Sequence, residues 1–175
     1  KNMELKPRDC RATEEALEAV RQADLIVLGP GSLFTSVLPN LLITDVCRAI
    51  VESEAVKIYV CNVMTQAGET NSFSASDHLD LLVRHTDPRL VNICLVNNGE
   101  IPETLLEKYA EEGAEPVVLD TDRIREKGYE VVAENLIRAE DMVRHDSDKL
   151  ARAIFEAFIR YKQLDRNYAP RGQNL

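Results

Sequence analysis

The sequence predicts a three-layer α/β/α fold, Rossmann-like, with a mostly parallel sheet. Three observations lead there. Short apolar runs, at 25–28, 57–61 and 91–96, have the length and composition of strands buried on both faces. Segments with helical apolar spacing alternate with them, which is the pattern of βα units. The 175 residues, 45% apolar and 29% charged, suffice for one globular domain with a sizeable core.

Taken in order, residues 1–12 are polar and weakly patterned. Thr13 before Glu14 and Glu15 has the form of a capped helix start, and Ala16, Leu17, Val20 and Ala23 give that helix one apolar face. Leu25-Ile26-Val27-Leu28 is the first strand, ended by Gly29-Pro30-Gly31. A helix is expected from 39 or 40 to 52, using Leu41, Leu42, Val46, Ala49 and Ile50. The second strand, 57–61, leads into a long polar loop at 62–74. Ser74-Ala75-Ser76-Asp77 resembles a capping box with Asp in place of Glu, and Leu79, Leu81, Leu82 and Val83 follow it in a helix. A third strand at 91–96, a helix at 101–112 stopped by Gly113, a fourth strand at 116–119 and a shorter fifth at 129–133 come next. The last helix is expected over 147–162, where Leu150, Ile154, Phe158 and Ala151, Phe155, Ile159 form two adjacent i, i+4 rows. One domain over 1–162 follows, with 163–175 a flexible or partner-docking tail.

Lys and Arg number 21 against 30 Asp and Glu, a net charge of −9. With no basic block to offset it, this argues against nucleic acid or an anionic membrane as partner. No apolar run is long enough to predict a membrane span. Cys10, Cys47, Cys61 and Cys94 form no CxxC pair and read as small buried hydrophobes in a reducing compartment. No metal site is expected from that spacing, and a cytoplasmic location is.

Ligands of open α/β sheets bind beyond the carboxyl ends of the strands. After the first strand comes Gly29-Pro30-Gly31-Ser32-Leu33-Phe34-Thr35-Ser36-Val37-Leu38-Pro39-Asn40. Glycines, three hydroxyls and free amides ahead of a helix are the chemistry of an anion cradle, or of a tight turn with a well-capped helix. The loop is neither a Walker A motif nor a GxGxxG fingerprint. After the second strand, Asn62 to Thr70 is rich in amides and hydroxyls that suit sugar hydroxyls or a nucleobase edge, or simply a solvated loop. His78 opens a helix with no nucleophile paired to it. Arg144 precedes the last helix and can fork onto a phosphate, while Asp146 or Ser147 can cap that helix. A phosphate added to Ser147 would meet both a helix N-terminus and a neighbouring arginine.

These stretches resemble a known family. Gly29 to Leu42 looks like the glycine-proline loop of YvcK-like gluconeogenesis factors. Cys61 to Thr70 with Ser76-Asp77-His78 resembles their second motif, and Arg144-His145-Asp146 their third. That family belongs with the CofD-like proteins, whose other branch holds 2-phospho-L-lactate transferases. The resemblance implies a bacterial, cytoplasmic protein that binds UDP-sugars, notably UDP-N-acetylglucosamine, with no required cofactor and links to gluconeogenic growth, cell shape and cell-wall precursors. Carried over by motif, the binding positions are Gly31, Ser32, Thr35, Ser36 and Asn40; Asn62, Thr65, Gln66, Glu69 and Thr70; and Arg144 and Asp146, with Arg144 on the diphosphate. Ser147 stands where a serine/threonine kinase would act, and a homo-oligomer is a further expectation. The family's N-terminal Gly-Gly-Gly-Thr-Gly-like loop has no counterpart here, so the chain is expected to match the C-terminal part of a larger domain. The alternatives are a CofD-type transferase and a plain interaction module docking through its tail.

Overall fold

The structure, a computed structural model, describes residues 3–168, with side chains as far as Leu164. Helix α1 spans Glu14–Gln22, and the Thr13 hydroxyl caps it by accepting from Ala16 N. Strand β1 is Leu25–Leu28. A wide, π-type turn over Leu33–Val37 then runs into the short helix α2, Leu38–Leu41, whose first turn holds Pro39 where a missing N–H costs nothing. After a break at extended Ile43, helix α3 covers Thr44–Glu52. The single helix expected from 39 or 40 to 52 is therefore two.

Strand β2, Val56–Val60, is buried at all five positions and sits inside the sheet. Helix α4, Ala75–His85, begins with the expected capping box: Ser74 accepts from Asp77 N, and the Asp77 carboxylate accepts from Ser74 N. Strand β3 is Ile93–Asn97, helix α5 Glu103–Glu111, helix α6 Thr121–Glu126 and strand β4 Glu130–Glu134. The four strands lie in the order β1-β2-β3-β4, and every pairing is parallel. A hairpin follows, β5 (Ile137–Ala139) and β6 (Val143–His145), and then helix α7, Ser147–Tyr168.

Side-chain alternation along the strands splits the core in two. Tyr59, Cys61, Cys94, Val96 and Val131 pack under α1, α3, α4 and α6. Val56, Ile58, Val60, Ile93, Leu95 and Val132 pack under α7 alone, against Leu150, Ala153 and Ala157. This is the predicted three-layer α/β/α arrangement. A third cluster, Val63, Leu105, Ile137 and Val143, fixes the hairpin to α5 and the second loop. No single helix among the described residues is long and apolar enough to cross a membrane.

Three expectations are corrected. Residues 116–119 form no sheet strand. The segment crosses beyond the end of the sheet, bridging Met64 through Pro116 and Ser74 through Val118. An apolar run containing a proline that cannot donate is a poor ladder strand, and Val118 stays 63% exposed. The fourth strand is instead the run taken as a fifth. Helix α7 passes residue 162 and continues to Tyr168, so 163–168 are helical, while 169–175 lie outside the described residues.

Candidate functional site

The site is built from the chain's exits at the carboxyl ends of β1 and β2. Gly29 turns there with φ +88°, a left-handed conformation, and an added Cβ would lie 3.0 Å from the Val60 carbonyl oxygen. The turn therefore needs glycine at 29 for both conformation and space. Gly31 is tight as well, since its Cβ would meet the Ser36 side chain at 3.0 Å. Ser32 caps the π-type turn by accepting from Thr35 N at 3.1 Å. Its own hydroxyl donates to the Glu69 carboxylate at 2.8 Å, which locks the first loop to the second. Single-turn π segments recur at functional sites, because they re-aim side chains that a regular helix would fix. Thr35 and Ser36 are exposed on this turn and Asn40 on α2, and the Asn40 amide donates to the Ser36 carbonyl at 2.7 Å.

The second loop divides its predicted residues between structure and surface. Thr65 and Thr70 are buried and their hydroxyls are occupied: Thr65 accepts from Glu115 N and Thr70 from Gln66 N, both at 2.9 Å. They shape the loop and do not face its mouth. Asn62, Gln66 and Glu69 are half-buried, and Gln66 holds a buried Oε1 with no hydrogen-bond partner.

The third motif lies on the hairpin. Ile137, Ala139, Val143 and His145 share its inner face, and Arg138 pairs directly with Arg144 on the outer one. Arg144 is exposed. Ile137 and Val143 pack with Val63 and Leu105, which holds β6, and Arg144 on it, against the second loop, with the Cys61 carbonyl near the His145 ring. Burial pushes the His145 pKa down, and the Cys61 carbonyl only partly opposes it, so the ring is neutral at pH 7. Asp146 caps α7 by accepting from Asp148 N at 3.0 Å and Lys149 N at 3.1 Å. Those N–H groups, that of Lys149 foremost, hold its carboxyl below the usual range. Ser147 is the exposed first residue of α7.

Sequence reasoning missed two residues. Gly29 stood in the quoted loop, but only the positive φ singles it out. Asp120, the N-cap residue of α6, accepts from Ser74 Oγ at 2.8 Å, Ser76 Oγ at 2.5 Å and Ser76 N at 2.9 Å. Burial works to raise its pKa, yet these hydrogen bonds together outweigh burial and keep it ionised. Its partners lie 44 and 46 residues away in sequence, so no local pattern announces it. His78 is fully buried, with Nδ1 on the Ser74 carbonyl and Phe73 edge-on at 5.4 Å, which is a structural role. Cys61 and Cys94 are buried as expected, and burial pushes the Cys94 thiol up to about 12. Cys10 and Cys47 are half-buried. Among the described residues, no group of three or more His, Cys, Asp or Glu could hold a metal ion.

Concavities of about 420 and 440 Å³ lie along α3, against α1 and the end of α4, away from these loops. Helix flanks of mixed charge line them, so size alone does not find the site.

Residues 1–137 match the family described as 2-phospho-L-lactate transferase CofD. The chain belongs to the CofD family. It is 45% identical over 157 residues to a gluconeogenesis factor of Halalkalibacterium halodurans, across 89% of this chain and 49% of that protein. It is 38% identical over 157 residues to the gluconeogenesis factor of Bacillus subtilis, across 89% and 50%. A crystal structure of a UPF0052 family member from Bacillus halodurans matches with a TM-score of 0.84 at 45% identity, over 87% of this chain and 49% of that one. The chain thus spans about half the length of the curated relatives it matches. A match over 89% of the chain necessarily includes the hairpin of Arg144, whereas the CofD family match ends at the start of β5.

Proposed function

We propose that this chain contributes a nucleotide-sugar site, for UDP-N-acetylglucosamine or UDP-glucose, to a regulatory protein of the gluconeogenesis-factor type. The observation that carries the reading is the Ser32–Glu69 hydrogen bond joining two polar loops beyond β1 and β2, with exposed Arg144 on the hairpin that packs against the second of them. The charges divide the ligand. A diphosphate avoids the Glu69 carboxylate and takes the Arg144 guanidinium, while Glu69 has lone pairs left for ribose or sugar hydroxyls. The exposed groups of Thr35, Ser36 and Asn40 and the half-buried amide of Asn62 suit the rest of the ligand. Asp146 acts through the cap that sets the direction of α7. In this reading the protein is cytoplasmic and self-associates, and a serine/threonine kinase acts on Ser147.

Isothermal titration with UDP-N-acetylglucosamine tests it. The expected result is saturable binding, competed by UDP and weakened by Arg144→Ala, with the sugar nucleotide recovered intact. Turnover, or no heat and no competition, would end the regulator reading.

The family match over 1–137 favours a second reading, CofD-type transfer of 2-phospho-L-lactate from a nucleotide-diphosphate donor to a deazaflavin acceptor. Incubation with both substrates distinguishes the two readings: phospholactyl-deazaflavin product supports transfer.

A further inference from the structure

A lysine stands inside the sheet. Alternation along β2 turns Val56, Ile58 and Val60 toward α7, which leaves Lys57 on the other face with Tyr59. Both faces of this parallel sheet are covered, and Lys57 is only 6% exposed. Its ammonium donates to the Ser53 carbonyl at 2.7 Å, just past the end of α3, where the helix dipole favours a cation. That bond uses one of its three donors. Lys57 makes no ion pair among the described residues: Glu54 attracts it only from longer range, and Arg89 repels it. Burial is the main influence on the ammonium and lowers its pKa.

Lys57 is part of the wall of a cavity of about 360 Å³ at the amino ends of β2 and β3. The end of α3 and the segment that follows it contribute Glu52 and Glu54. Arg89 comes from the 3-10 turn Pro88–Leu90, and Lys162 from α7. Asp87 accepts from Arg89 Nε at 3.0 Å and Nη2 at 2.9 Å, which fixes the guanidinium and leaves Nη1 without a partner among the described residues. Lys162 is half-buried and has no hydrogen bond or ion pair among the described residues. Asn92 accepts from Lys57 N at 2.8 Å through Oδ1 and keeps its amide N–H groups.

We propose that this cavity is a second ligand site and that it takes a small hydroxylated phosphate monoester. The phosphate meets Lys57, Arg89 and Lys162, and the hydroxyls meet Glu52, Glu54 and Asn92. The donor set makes the assignment. Three cations reach one cavity from three separate elements, and a terminal phosphate offers three acceptor oxygens where a carboxylate offers two. The buried Lys57 ammonium gains a counter-charge that the protein does not place beside it. Glu52 and Glu54 repel a bare polyanion but accept from hydroxyls, so they select a ligand anionic at one end and hydroxylated at the other. About 360 Å³ lies low in the range of small-molecule sites and suits a monosaccharide phosphate better than a nucleotide-sugar. The cavity is at the far end of β2 from the second loop, so the proposal does not rest on the nucleotide-sugar reading.

Thermal unfolding and amide exchange of the full chain test it, with glucose 6-phosphate, inorganic phosphate and glucose as probes. The expected result is a saturable rise in Tm with glucose 6-phosphate and slowed exchange at 53–57 and 89–92. Inorganic phosphate needs about tenfold higher concentration for the same rise, and glucose has no effect. Lys57→Met weakens the response to glucose 6-phosphate about tenfold and still folds, because methionine fills the space with no charge to bury. Lys162→Ala weakens it about threefold and keeps the test readable were Lys57→Met to unfold. Lys108→Ala, at a cation of α5 that bonds the hairpin at the other end of the sheet, leaves it unchanged. No rise with glucose 6-phosphate, an equal rise with inorganic phosphate, full response in the Lys57 and Lys162 variants, or protection at 29–40 and 62–70 in place of 53–57 and 89–92 would each overturn the proposal.

Discussion

The two motif regions at the carboxyl end of the sheet are built in opposite ways. The loops after β1 and β2 direct much of their polarity inward: Ser32 to Glu69, Gln66 N to Thr70, Glu115 N to Thr65. The hairpin after β4 turns its apolar residues inward and two arginines outward, directly opposite one another. Like charges facing across a pair are unfavourable; Glu140, 3.5 Å from Arg138, offsets part of that repulsion, and Arg144 is left to face an anion. The loops supply shape, and the hairpin supplies the exposed charge of Arg144, while Arg138 pairs with Glu140. A loop substitution should therefore register first in stability, and an Arg144 substitution first in ligand affinity.

The largest expected effect breaks the loop side. Gly29→Val puts a β-branched side chain at φ +88° and against the Val60 carbonyl, and should cost about 2–3 kcal/mol in urea unfolding. A value under about 0.5 kcal/mol would show that the turn relaxes freely. Next, Arg144→Ala should lower affinity for UDP-N-acetylglucosamine about tenfold, roughly 1.4 kcal/mol, and move stability by less than about 0.5 kcal/mol. An Arg144→Ala protein that loses stability and keeps affinity would reverse the comparison. Ser32→Ala removes both the cap to Thr35 and the bond to Glu69, so it should cost about 1 kcal/mol of stability with a smaller loss of affinity.

The smallest effect is in pH. His78 and His145 have pKa values lowered chiefly by burial, so the unfolded chain takes up their protons more readily. Stability is full above about 6.5, the ordinary histidine value, and falls as pH drops below it, by less than about 1.4 kcal/mol per pH unit for each group. His145→Asn should flatten part of that slope and release the hairpin at neutral pH, seen as faster amide exchange at 143–145. An unchanged slope would show that the buried His145 ring does not carry it.

Legibility in the sequence followed locality. The strand at 25–28, the Thr13 cap and the Ser74–Asp77 box were readable because each is complete within a few residues. The hairpin was not, because three-residue strands around Glu140-Asp141-Met142 carry too little period to register. The segment 116–119 misled because apolar composition cannot report that Val118 points to solvent. At the site, the motifs pointed to the loops after β1 and β2 and to the turn before α7. They could not sort buried Thr65 and Thr70 from exposed Thr35 and Ser36, since that depends on pairing with Glu115 and on the π-type turn. Asp120 is the extreme case, a carboxylate whose role exists only once α4 and α6 are packed.

The central claim is that the two interlocked loops and the Arg144 hairpin form one nucleotide-sugar site. Amide exchange of the full chain, with and without saturating UDP-N-acetylglucosamine, measures it most directly. The account predicts slowed exchange at 29–40, 62–70 and 143–147 together, with the amino end of the sheet unchanged. Protection confined to the concavities along α3, or protection of the loops with the hairpin untouched, would contradict it.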